Sequence, residues 1–470
     1  MMNKRIPAAV LCAALALSTT ACGSQANSAN PGKTTHITIW TYYNGAQLDS
    51  FNQAVDTFNR TLGAEKGIVA ETSSQGSVND LETNVMNAAE GKVGAEELPN
   101  LFCAYADTAY ALDQMGLAVD LAPYLSQEEW DTYIDGYLAE GDFDGSGSLK
   151  IFPTAKSTEV LMLNDTDWQP FAEATGADYS DLATIEGVVT LAQQYYEWSG
   201  GKALFGRDAM ANYMLIGAKE LGDTVFDVQN GRMTLDFDKD TMHTLWDNYY
   251  VPFVKGYFAA AGKFRSDDIK TGTLLCYVGS SSSASFFPSQ VSTSDTESHP
   301  ISLKVLPSPH FAGHDKVSVQ QGAGMVVTKA DDAEIEASVE FLKWFTSPEN
   351  NLTFSVNSGY LPVTYEASTL SAVENSNLEV SDSMKELLTV AFDTVTNNEL
   401  YTPRAFAKGQ EARAEINVCM SDQAAADRAE VESRMEQGQT LEEACAEFLT
   451  EEHFDEWYQS AQNALKAYEN

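Results

Sequence analysis

Residues 37–60 read ITIWTYYNGAQLDSFNQAVDTFNR. The first seven, Ile37–Tyr43, are β-branched or aromatic and read as a strand. After Asn44-Gly45, the residues Leu48, Phe51, Val55 and Phe58 recur at helical spacing, which predicts a helix over 47–60. Working outward, a short strand is expected near Gly67–Ser73 and a helix near Val78–Ala89. A third strand follows at Pro99–Tyr105, PNLFCAY, and a helix at Asp107–Met115. Three strands separated by two helices form a βαβαβ unit, whose strands run parallel. Ligands of such sheets bind beyond the carboxyl ends of the strands.

The alternation continues more loosely. Lys150–Phe152 and Thr158–Asn164 read as extended, and Ile185–Trp198 and Asp240–Val251 as helices. Asn230-Gly231 between VFDV and MTLDF signals a hairpin. Thr273–Val278, Ser302–Leu306 and Val317–Val327 read as strands, and Ala333–Phe345 as an amphipathic helix ending before Ser347-Pro348. Beyond Pro348 the chain reads as almost wholly helical. The fold class is therefore α/β with a helical C-terminal extension. Its 470 residues exceed what one core usually serves, so two lobes are expected.

Composition narrows the function. The chain carries 28 Lys+Arg against 68 Asp+Glu, a formal charge of −40, which excludes a nucleic-acid partner. At 44% hydrophobic and 10% aromatic it is not a mainly disordered chain. Within 421–460 twelve acids face two arginines, read as a solvated helical face. No repeat of 20–50 residues is present. The six histidines include no HExxH; His310 and His314 are four apart beside Gly313, which reads as a loop, so no metal is expected. No GxSxG is present, no cofactor motif is complete, and a secreted hydrolase is disfavoured.

The N-terminus reads as an export address. Lys4 and Arg5 precede the apolar run Ile6–Leu17, which is of signal-peptide length and too short to span a bilayer. The stretch ending at Cys22 resembles a bacterial lipoprotein signal, with residues 1–21 removed and lipid, such as palmitate, on Cys22. Cleavage near Ala21 without lipid is the competing reading. Residues 22–35 are small and polar and read as a tether. Cys419 and Cys445 either pair across C-terminal helices or, like Cys103 and Cys276, remain buried thiols.

From residue 36 to about 365 the ordered landmarks resemble the extracellular solute-binding proteins of ABC importers, in the sugar and oligosaccharide group that includes maltodextrin-binding proteins. They are ITIWTYYNG, PNLFCAYADTAYALDQMGLAVDL, IFPTAKSTEVLMLND, TGTLLCYVGSSS, VLPSPHFAG, QQGAGMVVTKADDAEIEASVEFLKWFTSPEN and SGYLPVT. The resemblance implies a two-lobed periplasmic-binding-protein fold with a ligand cleft between the lobes. Crossings are expected near Ala155–Ser157, near Val305–Pro307 and after Phe345. Lobe I would be 36–155 plus 305–346, and lobe II 156–304 plus 347–470. It further implies a monomer without catalytic activity, held outside the cytoplasm by lipid on Cys22, at the cell surface or in the periplasm. That protein would bind a carbohydrate and pass it to membrane permeases. A sensor or adhesin on the same fold is the alternative.

A sugar presents hydroxyls in its ring plane and C–H groups on its faces, so a site wants planar polar side chains and aromatic rings. Tyr42, Tyr43 and Asn44 follow the first strand, where the family commonly places contacts; a structural turn is the bland reading. Asp107 lies at the offset from Pro99 where maltodextrin-binding proteins place an acid, and would otherwise cap its helix. Tyr105 is expected to face away. Ser157 stands where relatives carry a carboxylate, and neighbouring Lys156 is expected to be solvated. Asp208, Ser280, Ser281, Gln321, Gly322 and Tyr360 complete the expected contacts. Phe286 and Phe287 either replace a stacking Trp found in relatives or belong to the core.

Overall fold

The computed structural model describes residues 34–470 except Asn230 and Asp295. The signal segment, Cys22 and nearly all of the tether lie outside the described residues. The stretch that opens the sequence folds as read. Thr35–Thr41 is a central strand that buries Ile37, Ile39, Trp40 and Thr41. It pairs in parallel with Ile68–Ser74 on one side and Leu101–Ala104 on the other. Helix Gly45–Arg60 turns Phe51, Val55 and Phe58 into the core. Helix Val78–Ala89 starts at a capping box, in which Ser77 and Asp80 satisfy each other's backbone N–H groups, and buries Leu81 and Val85. Gly324–Val327, some 220 residues downstream, closes this first sheet by pairing antiparallel with Leu101–Ala104.

A second four-stranded sheet has the order Leu303–Pro307, Glu159–Asn164, Cys276–Ser280, Phe205–Arg207. The first three neighbours run antiparallel, and Phe205–Arg207 is parallel to Cys276–Ser280. Each sheet anchors its own large apolar cluster. One is centred on Ile39, Phe51, Phe102 and Phe341, the other on Leu161, Trp168, Trp246 and Trp457. Two separate cores in one chain are what divides it into two lobes. Phe226–Gln229 and Arg232–Leu235 form the expected hairpin.

The crossings differ from the expectation in two places. Leu303–Pro307 pairs along its whole length with Val160–Asn164, so Val305–Pro307 belongs to the second sheet. The chain returns to the first sheet later, between strands Val317–Val319 and Gly324–Val327. There Ser157 bridges Gln321, and Lys156 bridges Leu361, so three chain segments run side by side. Helix Pro348–Ser358, expected in lobe II, packs against helix Gly45–Arg60, and Val363 accepts the N–H of Ile134. The lone β-type signal at 303–307 does not say which sheet it joins. Register against Glu159–Asn164 decides that.

The C-terminal region is helical as read. Its face is less solvated than its charge implies: Phe454, Trp457, Tyr458 and Leu465 of helix Glu451–Lys466 are buried. Asp427 is buried too, accepting from Gln423 and from Tyr250 at 2.5 Å, with His453 Nε2 at 2.8 Å. Cys103, Cys276, Cys419 and Cys445 are free thiols, so the disulfide alternative fails. No described helix is long and apolar enough to cross a membrane.

Candidate functional site

A cleft of about 380 Å³ lies between the lobes. Glu82, Tyr105 and Asp107 line it from the first lobe, Asn212, Arg413 and Asn417 from the second, and Gln320 and Gln321 from the segment joining them. Asp107, Glu82 and Gln410 also border an outer groove of about 720 Å³. The first-lobe groups follow from the βαβ geometry: Asp107 sits just past the carboxyl end of Leu101–Ala104, in the first turn of helix Ala106–Gln114. The N-cap position belongs to Tyr105 and not to Asp107. Because the strand ends at Ala104, its alternation no longer governs Tyr105, which turns into the cleft and stacks on Tyr42 with centroids 6.4 Å apart.

Burial lifts the Asp107 carboxyl to about 6. The Arg413 guanidinium and a backbone hydrogen bond from Phe406 oppose that rise, while Glu82 and Glu411 add to it. Glu82 is likewise raised by burial, although it accepts hydrogen bonds from Thr108 and Gln410. Two carboxylates thus meet one guanidinium across the cleft, with no ion pair formed to Arg413 among the described residues. Each carboxylate keeps oxygen lone pairs for hydroxyl donors.

Lys156 is fully buried, against the expectation of a solvated side chain. Its Nζ donates to Glu140 at 2.5 Å and to the carbonyl of Gly322 at 2.7 Å. Burial drives its pKa down while Glu140 holds it up. A second buried network starts at Glu159, which accepts from Arg207 Nη2 at 2.5 Å and Asn212 Nδ2 at 2.9 Å. Asn212 also donates to Gln321 Oε1 at 3.2 Å and accepts from Arg413 at 3.5 Å. Ser157 puts a hydroxyl where relatives carry an acid, and Glu159, two residues on, is buried and spent on holding Arg207 and Asn212 in the wall.

Of the expected contacts, the structure brings Asp107 and Gln321 together in the cleft. The others lie elsewhere. Tyr42, Tyr43 and Tyr360 form a buried aromatic cluster with Phe51 and Phe354, in which the Tyr42 and Tyr360 hydroxyls meet at 3.2 Å. Asn44 is exposed at a helix start and makes no capping bond. Ser157 is buried in the crossing, trading backbone hydrogen bonds with Gln321 at 2.7 and 2.9 Å. The Asp208 carboxylate accepts the N–H of Arg265 at 2.9 Å. Ser280 caps a short 3-10 turn, and Ser281 Oγ accepts the N–H of Thr158 at 3.3 Å. Gly322 is needed for close packing of chain on chain. Its φ is +87°, and a Cβ there would lie 2.7 Å from the Ala155 carbonyl oxygen. Phe287 stacks on Tyr277, and Phe286 is exposed, so neither replaces the missing Trp.

The sequence reading missed Arg413, Asn417 and Gln410, all on helix Gly409–Cys419. Their stretch, 399–419, balances three acids with three basic residues and offers no charge signal that singles them out. It missed Glu82 and Asn212 as well, which look like ordinary polar helix residues. His310 packs against Glu220, Nδ1 to Oε1 2.8 Å, and no cluster of three metal-ligating side chains occurs among the described residues.

No curated protein matches the sequence significantly. Solved structures match over almost the whole chain at low identity. The cyclic α-maltosyl-1,6-maltose binding protein from Arthrobacter globiformis is 17% identical with a TM-score of 0.66, covering 93% of this chain and 99% of that one. UgpB from Mycobacterium tuberculosis, in complex with glycerophosphocholine, is 17% identical with a TM-score of 0.68, covering 93% and 98%. The ABC substrate-binding protein Lmo0181 from Listeria monocytogenes, in complex with cycloalternan, is 14% identical with a TM-score of 0.66, covering 92% and 100%. At these identities the likeness establishes the two-lobed fold. A family model described as bacterial extracellular solute-binding protein matches residues 53–379. The chain therefore belongs to the bacterial extracellular solute-binding protein family.

Proposed function

We propose that this protein captures a carbohydrate between its lobes by hinge closure and hands it to the permeases of an ABC importer. It would act as a monomer outside the cytoplasm, anchored by lipid on Cys22. The observation that carries the reading is the cleft itself. Planar polar side chains from both lobes converge there: Asp107 and Glu82 against Arg413, Asn212 and Asn417, with Tyr105 as the aromatic surface. Carboxylates accept from sugar hydroxyls, amides and guanidinium donate to them, and a ring covers the C–H face. The opposed charges suit a neutral ligand. Two of the structural relatives, the cyclic α-maltosyl-1,6-maltose binding protein and the protein in complex with cycloalternan, support this class.

In this reading the first lobe runs to about residue 155 and is completed by 324–345 and the helix at 348–358. The segments at 155–158 and 320–323 form the hinge. Ligand that touches both lobes biases the closed form.

A thermal-shift screen decides the ligand class, because ligand that binds only the folded protein raises its melting temperature. Mono- and oligosaccharides are expected to give the shift. A shift with glycerophosphocholine, amino acids or peptides, and none with sugars, would overturn the assignment.

A further inference from the structure

The two adjacent glutamines of the crossing segment differ in a way the sequence does not show. The Gln321 amide is engaged, its Oε1 accepting from Asn212. The Gln320 side chain is 2% exposed and lines the cleft, yet neither its Oε1 nor its Nε2 has a hydrogen-bond partner. Arg413 Nη1, lining the same cleft from helix Gly409–Cys419, is also buried and unpartnered. Buried amides without partners are rare because both ends lose water and gain nothing, so an orphaned amide calls for a missing partner. The backbone around Gln320 is fixed. Its N–H bonds the Tyr401 carbonyl at 3.1 Å, and Gln321 is paired with Ser157.

We propose that Gln320 is the residue that reads the ligand at the hinge, its amide binding two neighbouring hydroxyls of the carbohydrate. One hydroxyl donates to Oε1 and the next accepts from Nε2, which is the complementary pattern of a vicinal diol. Arg413 donates Nη1 to a further ligand oxygen from the second lobe. Gln320 follows Val317–Val319, which packs with the second lobe, and precedes Gly324–Val327 of the first sheet. A ligand held by this amide is therefore held at the pivot. This inference rests on the carbohydrate reading and adds a specificity rule to it: a ligand lacking either of the two adjacent hydroxyls binds poorly.

The test uses maltotriose, raffinose, lactose and sorbitol, taking forward the one with the largest thermal shift and its mono-deoxy derivatives. Calorimetric titration of Gln320→Leu is expected to show Kd raised about 10- to 100-fold. The ligand-free melting temperature should not fall, because leucine leaves no orphaned polar atom. Deleting the hydroxyl that Gln320 reads should cost the wild type affinity and cost Gln320→Leu almost none, a non-additivity that packing alone does not produce. Gln320→Asn, which keeps the amide but withdraws it, should also lose affinity and guards against a misfolded leucine variant. Unchanged affinity in both variants, or strictly additive losses for every deoxy derivative, would overturn the inference and leave the carbohydrate assignment standing. No shift with any of the four compounds would remove both.

Discussion

Asp107 and Lys156 are two charged side chains that burial treats in opposite ways. Asp107 is held near pH 6 in the ligand-free cleft by loss of water. Hydroxyl donors favour its ionised form, so ligand binds the carboxylate and not the acid. Affinity is therefore expected to be constant well above pH 6 and to weaken as pH falls through it, by up to about tenfold per unit. Titrations between pH 5 and 8 check this, with Asp107→Asn expected to flatten the profile. Asp107→Ala should raise Kd about 10- to 100-fold, since hydrogen bonds to a charged acceptor are the strong ones. Lys156 instead keeps its partner, Glu140, inside the protein. Lys156→Ala strands that carboxylate beside the crossing and should destabilise the fold by about 3–5 kcal/mol, read as a lower denaturation midpoint.

Helix Gly409–Cys419 is the element on which the second wall depends. It carries Gln410, Arg413 and Asn417 into the cleft, and it begins against the first lobe. A Cβ on Gly409 would lie 2.2 Å from Asp107 Oδ1, so glycine there lets the helix start seat on the carboxylate. The residue sits in ordinary helical conformation, where alanine lowers the entropy of the unfolded chain. That gain, up to about 1 kcal/mol, is opposed by the displaced Asp107 carboxylate, so Gly409→Ala should lower the ligand-free melting temperature and weaken ligand binding together. Melting curves and titrations on the same sample separate the two effects. Unchanged binding with an unchanged or higher melting temperature would show that the helix start does not press on Asp107. Gly231, in the hairpin of the second lobe, meets the Tyr110 hydroxyl of the first lobe in the same intimate way.

At the scale of the molecule, the two sheets are tied by short segments lying side by side at Lys156–Ser157, Gln321 and Leu361. Few backbone hydrogen bonds resist a rotation there, whereas each lobe has its own core. Saturating carbohydrate is expected to reduce the radius of gyration measured by X-ray scattering without changing helix content by circular dichroism. An unchanged radius on a ligand that raises the melting temperature would show binding without closure. The strong net negative charge, −40 by formal count, makes copies of the chain repel one another at low salt and supports the proposed action as a monomer.

The local code determined much of this protein. Runs of β-branched and aromatic residues mark the strands of 37–115, and the 3.6-residue recurrence of Leu48, Phe51, Val55 and Phe58 marks a helix, so the βαβαβ unit and the carboxyl end of its sheet were legible. Asp107 was picked by the offset from Pro99 that the resemblance implies, and its place just past the end of Leu101–Ala104 is what puts it at the cleft. The fate of Leu303–Pro307 was not legible, since its residues suit either sheet and only pairing with Glu159–Asn164 selects one. The sequence could not show that Lys156 would be buried, as this depends on Glu140 and Gly322 arriving from distant segments. Nor could it distinguish Gln320 from Gln321, or bring Arg413 to a cleft whose other wall is some 300 residues earlier. Backbone patterning is a short-range property, whereas a cleft between lobes is built from side chains whose partners are chosen by packing.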